Sequence, residues 1–159
     1  MTSTNRYRRG VGVMLLNRDG KVFVGARIDN TDEAWQMPQG GIDKDEEPWA
    51  TALRELEEET GIPPRLVERI AQCPERLKYD LPEKLRGKLW GGKWMGQDQN
   101  WFLCRFLGRD SDINIATKHP EFREWMWIEP QQLPDLIVPF KRDLYRRLIA
   151  EFSDYLPAA

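Results

Sequence analysis

Residues 40–62 read GGIDKDEEPWATALRELEEETGI, and the fold of the chain turns on how that stretch is built. Its second half, Arg54-Glu55-Leu56-Glu57-Glu58-Glu59, places four carboxylates in five consecutive positions. On a helix such neighbours repel one another, so the cluster makes sense where positive charge sits among them. The local signals give a helix over 48–60. Pro48 suits a first turn, Gly61 is the C-terminal stop, and Pro63-Pro64 prevents continuation. Asp45, Glu46 and Glu47 favour the positive end of the helix dipole. At about 100° per residue, Trp49, Leu53, Leu56 and Thr60 fall in one arc, the expected buried stripe. Glu55, Glu58 and Glu59 are three and four positions apart and share the opposite face, whereas Glu57 points into solvent. Arg54 lies beside that face and can hold one carboxylate by a charge-assisted hydrogen bond. Three carboxylates on about one turn supply hard oxygen ligands of the kind Mg²⁺ and Mn²⁺ favour. A solvated acidic face is the competing interpretation of the hexapeptide alone. No Cys/His spacing suggests zinc.

Outward from this helix, Gly10–Leu16 (GVGVMLL) is an apolar strand. Asn17-Arg18-Asp19-Gly20 carries Asp-Gly turn chemistry, with Lys21–Arg27 as hairpin partner. Residues 28–46 are loop-like. Residues 66–73 form a strand, and 74–96, with Pro74, Pro82, Gly87, Gly91, Gly92 and Gly96, a long loop of the kind that is often functional. Trp101–Leu107 (WFLCRFL) is a strand and Glu124–Ile128 a short one. Lys141–Phe152 closes the chain as an amphipathic helix, with Leu144, Leu148 and Phe152 at four-residue steps. Irregular interleaving of strands and helices predicts a single α/β domain over 1–159 with a mixed sheet.

Composition narrows the class. In 159 residues, 40% apolar and 31% charged, there is enough material for one proper core. No apolar run approaches the roughly 20 residues that span a bilayer. MTSTNRYRRG lacks the apolar segment of a secretory signal. Two cysteines, Cys73 and Cys104, do not make a disulfide scaffold, and both read as reduced core residues of a cytoplasmic protein. The net charge of −2 argues against a general nucleic-acid coat. Basic residues nevertheless recur at Arg6, Arg8 and Arg9, at Lys78, Lys84, Arg86, Lys88 and Lys93, and at Lys141, Arg142, Arg146 and Arg147. A basic rim around an acidic, metal-loaded centre suits a polyanion whose reactive part needs metal.

The stretch resembles the Nudix box throughout. That pattern is Gly, five residues, Glu, seven residues, Arg-Glu, an apolar residue, one residue, Glu-Glu, one residue, Gly and an apolar residue. Here these are Gly40, Glu46, Arg54, Glu55, Leu56, Glu58, Glu59, Gly61 and Ile62, and no fixed position departs. The resemblance implies a loop–helix–loop on a mixed sheet in an αβα sandwich. It also implies metal ligation by Glu55, Glu58 and Glu59, with the Gly40 carbonyl as a further ligand. Beyond the box, WQMPQGG (35–41), GQDQNWF (96–102) and FKRDLYRR (140–147) are similar to one subgroup, with Tyr7-Arg8 and Tyr79–Pro82 extending the likeness. That subgroup holds the bacterial RNA pyrophosphohydrolases and the dinucleoside polyphosphate hydrolases. Arg9 departs from its familiar pattern, which has proline there, a change expected to affect the rim.

By this resemblance the substrate is 5′-triphosphorylated RNA or a dinucleoside polyphosphate; separately, a monomer and two or more Mg²⁺ or Mn²⁺ ions are expected. Arg8, Lys141 and Arg142 are the phosphate candidates; Phe140 and Tyr79 are candidates to stack on a base. Gln39, within the WQMPQGG likeness, is a further substrate-binding candidate. Gln97 and Gln99 alternate at a strand start, so either both face the site or both are strand-edge polarity. Trp35, Trp101, Trp125 and Trp127 read as core, and His119, the only histidine, as surface. Glu121 matches a further acidic position, a fourth metal ligand or the base for the attacking water. The expected catalytic set is therefore Glu58, Glu121 and Arg54. A free-triphosphate sanitiser and a catalytically silent Nudix binding module are the rivals.

Overall fold

A computed structural model describes residues 6–29, 34–83 and 94–157. Lys84, Arg86, Lys88 and Lys93 of the basic rim, and Gly87, Gly91 and Gly92 of the expected loop, lie outside the described residues. The strands are β1 (Tyr7–Leu16), β2 (Val22–Arg27), β3 (Trp35–Gln36), β4 (Gln39–Gly41), β5 (Val67–Gln72), β6 (Leu77–Asp80), β7 (Gly96–Phe106) and β8 (Phe122–Ile128). Among the described residues the α-helices are α1 (Pro48–Thr60), α2 (Leu133–Leu136) and α3 (Arg142–Glu151).

Two strands with residues alternating between faces set up the architecture. In β1, Val11, Val13 and Leu15 point to one face and Met14 and Leu16 to the other; in β7, Phe102, Cys104 and Phe106 oppose Trp101 and Leu103. The two strands run parallel from Tyr7↔Gly96 to Leu16↔Arg105. Both faces are covered, as parallel strands require. Ala52 and Leu56 of α1 pack on the first face; Leu144, Tyr145 and Leu148 of α3 pack on the second. The sheet runs β3-β2-β1-β7-β5, with β4 on β1, β6 on β7 and β8 on β2. This is the expected αβα sandwich with a mixed sheet.

Several expectations need correction. The turn after β1 forms, with Gly20 N–H donating to Asn17 O at 3.0 Å. The hairpin, however, pairs only at Leu16↔Val22. β4 takes the edge of β1 from Gly10↔Gly41 to Gly12↔Gln39, so β2 leaves and pairs along β8 instead. Residues 28–46 contain β3 and β4, and 74–96 contain β6; strands of two to four residues carry too few alternations to stand out. β7 begins at Gly96, five residues before the apolar run, because β1 and β6 pair with its polar start. Cys73 and Cys104 are free and buried.

Gly12 is a packing requirement. It lies beside Trp101, and any β-carbon there would overlap the indole, which is fully buried. Gly12→Ala is expected to cost about 1–3 kcal/mol through overpacking, read as a lower urea midpoint with an unchanged slope. An unchanged midpoint would show that the indole has room to move.

Candidate active site

The carboxylates of α1 occupy three different environments. The helix itself ends as expected: Gly61, at φ 74°, donates its N–H to Glu57 O at 2.8 Å. Its buried set is Thr51, Ala52, Leu56, Glu59 and Thr60, with Trp49 and Leu53 only half-buried. The stripe is therefore rotated from the expected arc, because β4 flanks the helix as well as β1. Glu59 is consequently not on a solvated face: it is 3% exposed. The Gln39 N–H reaches its carboxylate, but Oε2 has no partner among the described residues. Burial pushes Glu59 well above the usual carboxylate range, and the charges of Glu55 and Glu121 add to the shift. Burial also lifts Glu55 to about 7, against the pull of Arg54. A side chain at residue 40 would overlap the Glu55 carboxyl, so glycine is what lets that group lie against β4. Glu58 is more than half exposed.

Arg54 hydrogen-bonds three carboxylates rather than one and pairs with a fourth, Asp43, at 3.5 Å. Nε and Nη2 fork onto Glu46 at 2.7 and 2.9 Å, and Nη1 donates to Glu55 at 3.2 Å and Glu58 at 3.0 Å. Glu46 therefore serves Arg54 and not the helix start. The fork, helped by the Asp43 N–H, holds Glu46 at about 2. Glu121 precedes β8, and its carboxylate lies 3.7 Å from Arg27. Asp29 grips Arg27 through two hydrogen bonds of 2.8 and 2.7 Å. Neither Arg27 nor Asp29 belongs to any motif in the sequence; only their placement at the end of β2 brings them here.

Part of this set lines one cleft of about 880 Å³. Gly40, Glu55, Glu59 and Glu121 share it with Arg8, Gln39, Tyr79, Gln97, Phe140, Lys141, Arg27 and Asp29. The Arg8 guanidinium lies against Gly41, where a side chain would displace it. Lys141 is 5% exposed, its Nζ 4.9 Å from the Tyr79 ring centre and 5.9 Å from that of Phe140. Burial lowers its pKa to about 7, with Arg27 adding and Glu59 opposing. Tyr79 is buried and tilted against Phe140 at 6.0 Å, so it is a wall and not an open stacking platform. Two expected substrate residues are displaced from the wall. Gln99 is fully buried beneath it, bonded to Gln39, Gln97 and Trp101. Arg142 donates to Pro134 O at 2.9 Å and joins α3 to α2. Glu58 and Arg54 stand outside the lining. Arg9 donates to Asn100. Trp101 is core, Trp35, Trp125 and Trp127 are half-buried, and His119 is exposed. A smaller hollow of about 320 Å³ beside Asn17 and Trp127 contains none of the expected site residues.

Residues 6–148 match the NUDIX domain. The chain belongs to the Nudix family. A protein named RNA pyrophosphohydrolase from Sphingopyxis alaskensis is 60% identical over 147 residues, 92% of this chain and 93% of the relative. One of the same name from Zymomonas mobilis is 58% identical, covering 92% and 95%. Among solved structures, an Ap4A hydrolase binary complex from C. elegans superposes with a TM-score of 0.67 at 18% identity, covering 92% of this chain and 98% of that one. The E. coli dihydroneopterin triphosphate pyrophosphohydrolase gives 0.68 at 18%, covering 91% and 97%. These structures share the Nudix fold.

Nudix hydrolases generally use divalent metal ions. Among the described residues no three acidic, histidine or cysteine groups already stand as a closed ligand set. The donor chemistry nevertheless fits a hard dication. Glu55, Glu59, Glu121 and the Gly40 carbonyl are oxygen donors around one cleft, and the buried, unpartnered Glu59 Oε2 requires a positive partner to stay ionised. Among the described residues no helix is long and apolar enough to cross a membrane.

Proposed function

We propose that this Nudix enzyme removes pyrophosphate from the 5′ end of triphosphorylated RNA. The observation that carries the reading is the single cleft that joins buried carboxylates to a cation–aromatic wall. That combination suits a phosphoanhydride at one end and a nucleobase at the other. The shared name of the near relatives supports it.

In this reading Arg8, Gln97 and Lys141 take phosphate oxygens, and Phe140 stacks on a base. Gln39 and Tyr79 shape the floor. Glu55, Glu58, Glu59, Glu121 and the Gly40 carbonyl would hold two or more Mg²⁺ or Mn²⁺ ions, which lower the pKa of the attacking water and offset phosphate charge. Glu121, which lines the cleft with Arg27 at 3.7 Å, takes the proton. The water oxygen bonds to the α-phosphorus, the α–β anhydride bond breaks, and pyrophosphate leaves a 5′-monophosphate RNA. Positioning supplies much of the rate. The enzyme acts as a cytoplasmic monomer.

The test is product analysis on triphosphorylated RNA and on diadenosine tetraphosphate, each with and without Mg²⁺. Faster turnover of the dinucleotide would replace the RNA assignment. Absence of metal-dependent release from either would remove the hydrolase reading. Glu58→Gln should leave the melting temperature near that of the parent, since Glu58 is exposed, while lowering kcat by about 10²-fold. A near-normal rate in saturating Mg²⁺ would take Glu58 out of the mechanism.

A further inference from the structure

A chain of hydrogen bonds below the cleft floor decides which end of one amide faces the ligand. The Trp101 indole can only donate. Its Nε1 lies 2.8 Å from Gln99 Oε1, so that end of Gln99 must be the oxygen. The Gln99 Nε2 then has two hydrogens to place, and both neighbours offer oxygen: Gln97 Oε1 at 2.7 Å and Gln39 Oε1 at 3.2 Å. The carbonyl ends of Gln97 and Gln39 are thereby occupied from below. The Gln39 side chain also hydrogen-bonds the Tyr79 phenol.

Gln97 has no such second engagement. It is 2% exposed and lines the cleft, and its Nε2 is the end of the amide that Gln99 leaves unengaged. Its Oε1 lies over Gly10, where even a β-carbon would come within 2.6 Å, so the oxygen end is tightly enclosed. Strand register places Arg8, Gln97 and Tyr79 side by side on one face of the sheet. The Gln97 Nε2 thus stands in the row of the Arg8 guanidinium, which has donors only. Two donor groups side by side on the cleft wall favour an acceptor oxygen, the chemistry of a phosphate chain.

We propose that Gln99, oriented by Trp101, is a positioning residue that fixes Gln97 as an obligate hydrogen-bond donor to a phosphate oxygen of the substrate. The identity of that substrate rests on the reading above; the donor polarity does not. Trp101 sets the direction, Gln99 transmits it, and Gln97 presents it. A free glutamine would offer either end. This one cannot, because reversing it would set two N–H groups against each other in a buried site.

Gln99→Glu reverses the device with nearly the same shape. The new side chain accepts from Trp101 and presents oxygen to residue 97, so the Gln97 amide turns its Nε2 inward and its carbonyl toward the phosphate. KM for triphosphorylated RNA should rise about tenfold or more while kcat stays within about threefold. Gln99→Met, which removes polarity without reversing it, should give a smaller rise in KM. A folded Gln99→Glu protein with unchanged KM overturns the proposal. Should that variant not fold, the parent protein gives the decision by NMR. The Gln97 Nε2 proton signals, assigned through their loss in Gln97→Met, should shift when inorganic triphosphate is added. Saturable triphosphate binding that leaves those signals in place also overturns it. A parent enzyme that turns over neither nucleotide substrate yet shows the amide shift would sink the proposed function and leave this inference standing.

Discussion

Glu59→Gln should cut turnover severely and at the same time make the metal-free protein harder to unfold. The two effects share one cause. The Glu59 carboxyl is buried, with one oxygen unpartnered among the described residues and the negative charges of Glu55 and Glu121 nearby. Without a cation its ionised form is costly, and a neutral amide of the same shape removes that cost, a gain of about 1–3 kcal/mol. With the charge gone, the dication loses a ligand and kcat should fall on the order of 10³-fold. The pH dependence separates this from a generic stabilisation. Glu59 in the folded state is raised well above its unfolded value, and Glu55 is raised from 4.5 to about 7. Between those limits the folded chain binds more protons than the unfolded one, so in EDTA stability should rise as pH falls from 8 toward 5. Glu59→Gln should flatten that slope, leaving the part due to Glu55, and Mg²⁺ should stabilise the parent more than the variant. Urea titrations at pH 5, 6.5 and 8, with EDTA and with Mg²⁺, measure all of this. A variant less stable than its parent in EDTA at pH 8, or one that keeps its kcat, contradicts the assignment of Glu59.

That burial was the part of the site hardest to see in the chain. The ends of α1 were legible because Pro48 and Gly61 act on their own backbone. The carboxylate cluster was legible because helical spacing is local. Which carboxylate meets solvent is not local: β4 had to be found first, and a three-residue strand containing two glycines carries no period. The same holds for Lys141, which sequence alone places on a basic rim and the structure buries against Tyr79 and Phe140. Gln99 alternates correctly with Gln97, yet one is a wall and the other lies beneath it, because depth along a strand depends on what covers the strand. β6 did show alternation, with Leu77 and Tyr79 buried between Lys78 and Asp80, but over only four residues among prolines and glycines. Arg27 and Asp29 had no signal. Residues brought together by β2 leaving β1 for β8 are beyond any pattern of spacing.

Arg54→Lys should be nearly as damaging as Arg54→Ala, because what the site uses is the shape of the guanidinium. Nε and Nη2 lie parallel on Glu46, Nη1 divides between Glu55 and Glu58, and Nη2 also reaches the Gly41 carbonyl at 3.5 Å. One planar fork therefore sets the spacing of three carboxylates and pins the loop of β4 to the helix. An ammonium is a point charge on a flexible stem and can satisfy one of those directions at a time. The stability loss should be modest, about 1 kcal/mol, since the Arg54 side chain is 32% exposed and its pairs are screened. The catalytic loss should be much larger, about 10²-fold in kcat for lysine and more for alanine, because Glu55 and Glu58 lose their common reference. An acid limb gives an independent readout. Glu46 is held at about 2 chiefly by the Arg54 fork, so the stability it contributes is fully present above pH 4.5 and lost as pH falls toward 2. With lysine at position 54 the folded-state value of Glu46 moves back toward 4.5, short of it because the Asp43 N–H remains, and that contribution should shrink whether or not Mg²⁺ is present. If the lysine variant keeps both kcat and the acid profile within about threefold of the parent, charge alone organises the carboxylates and the fork is incidental.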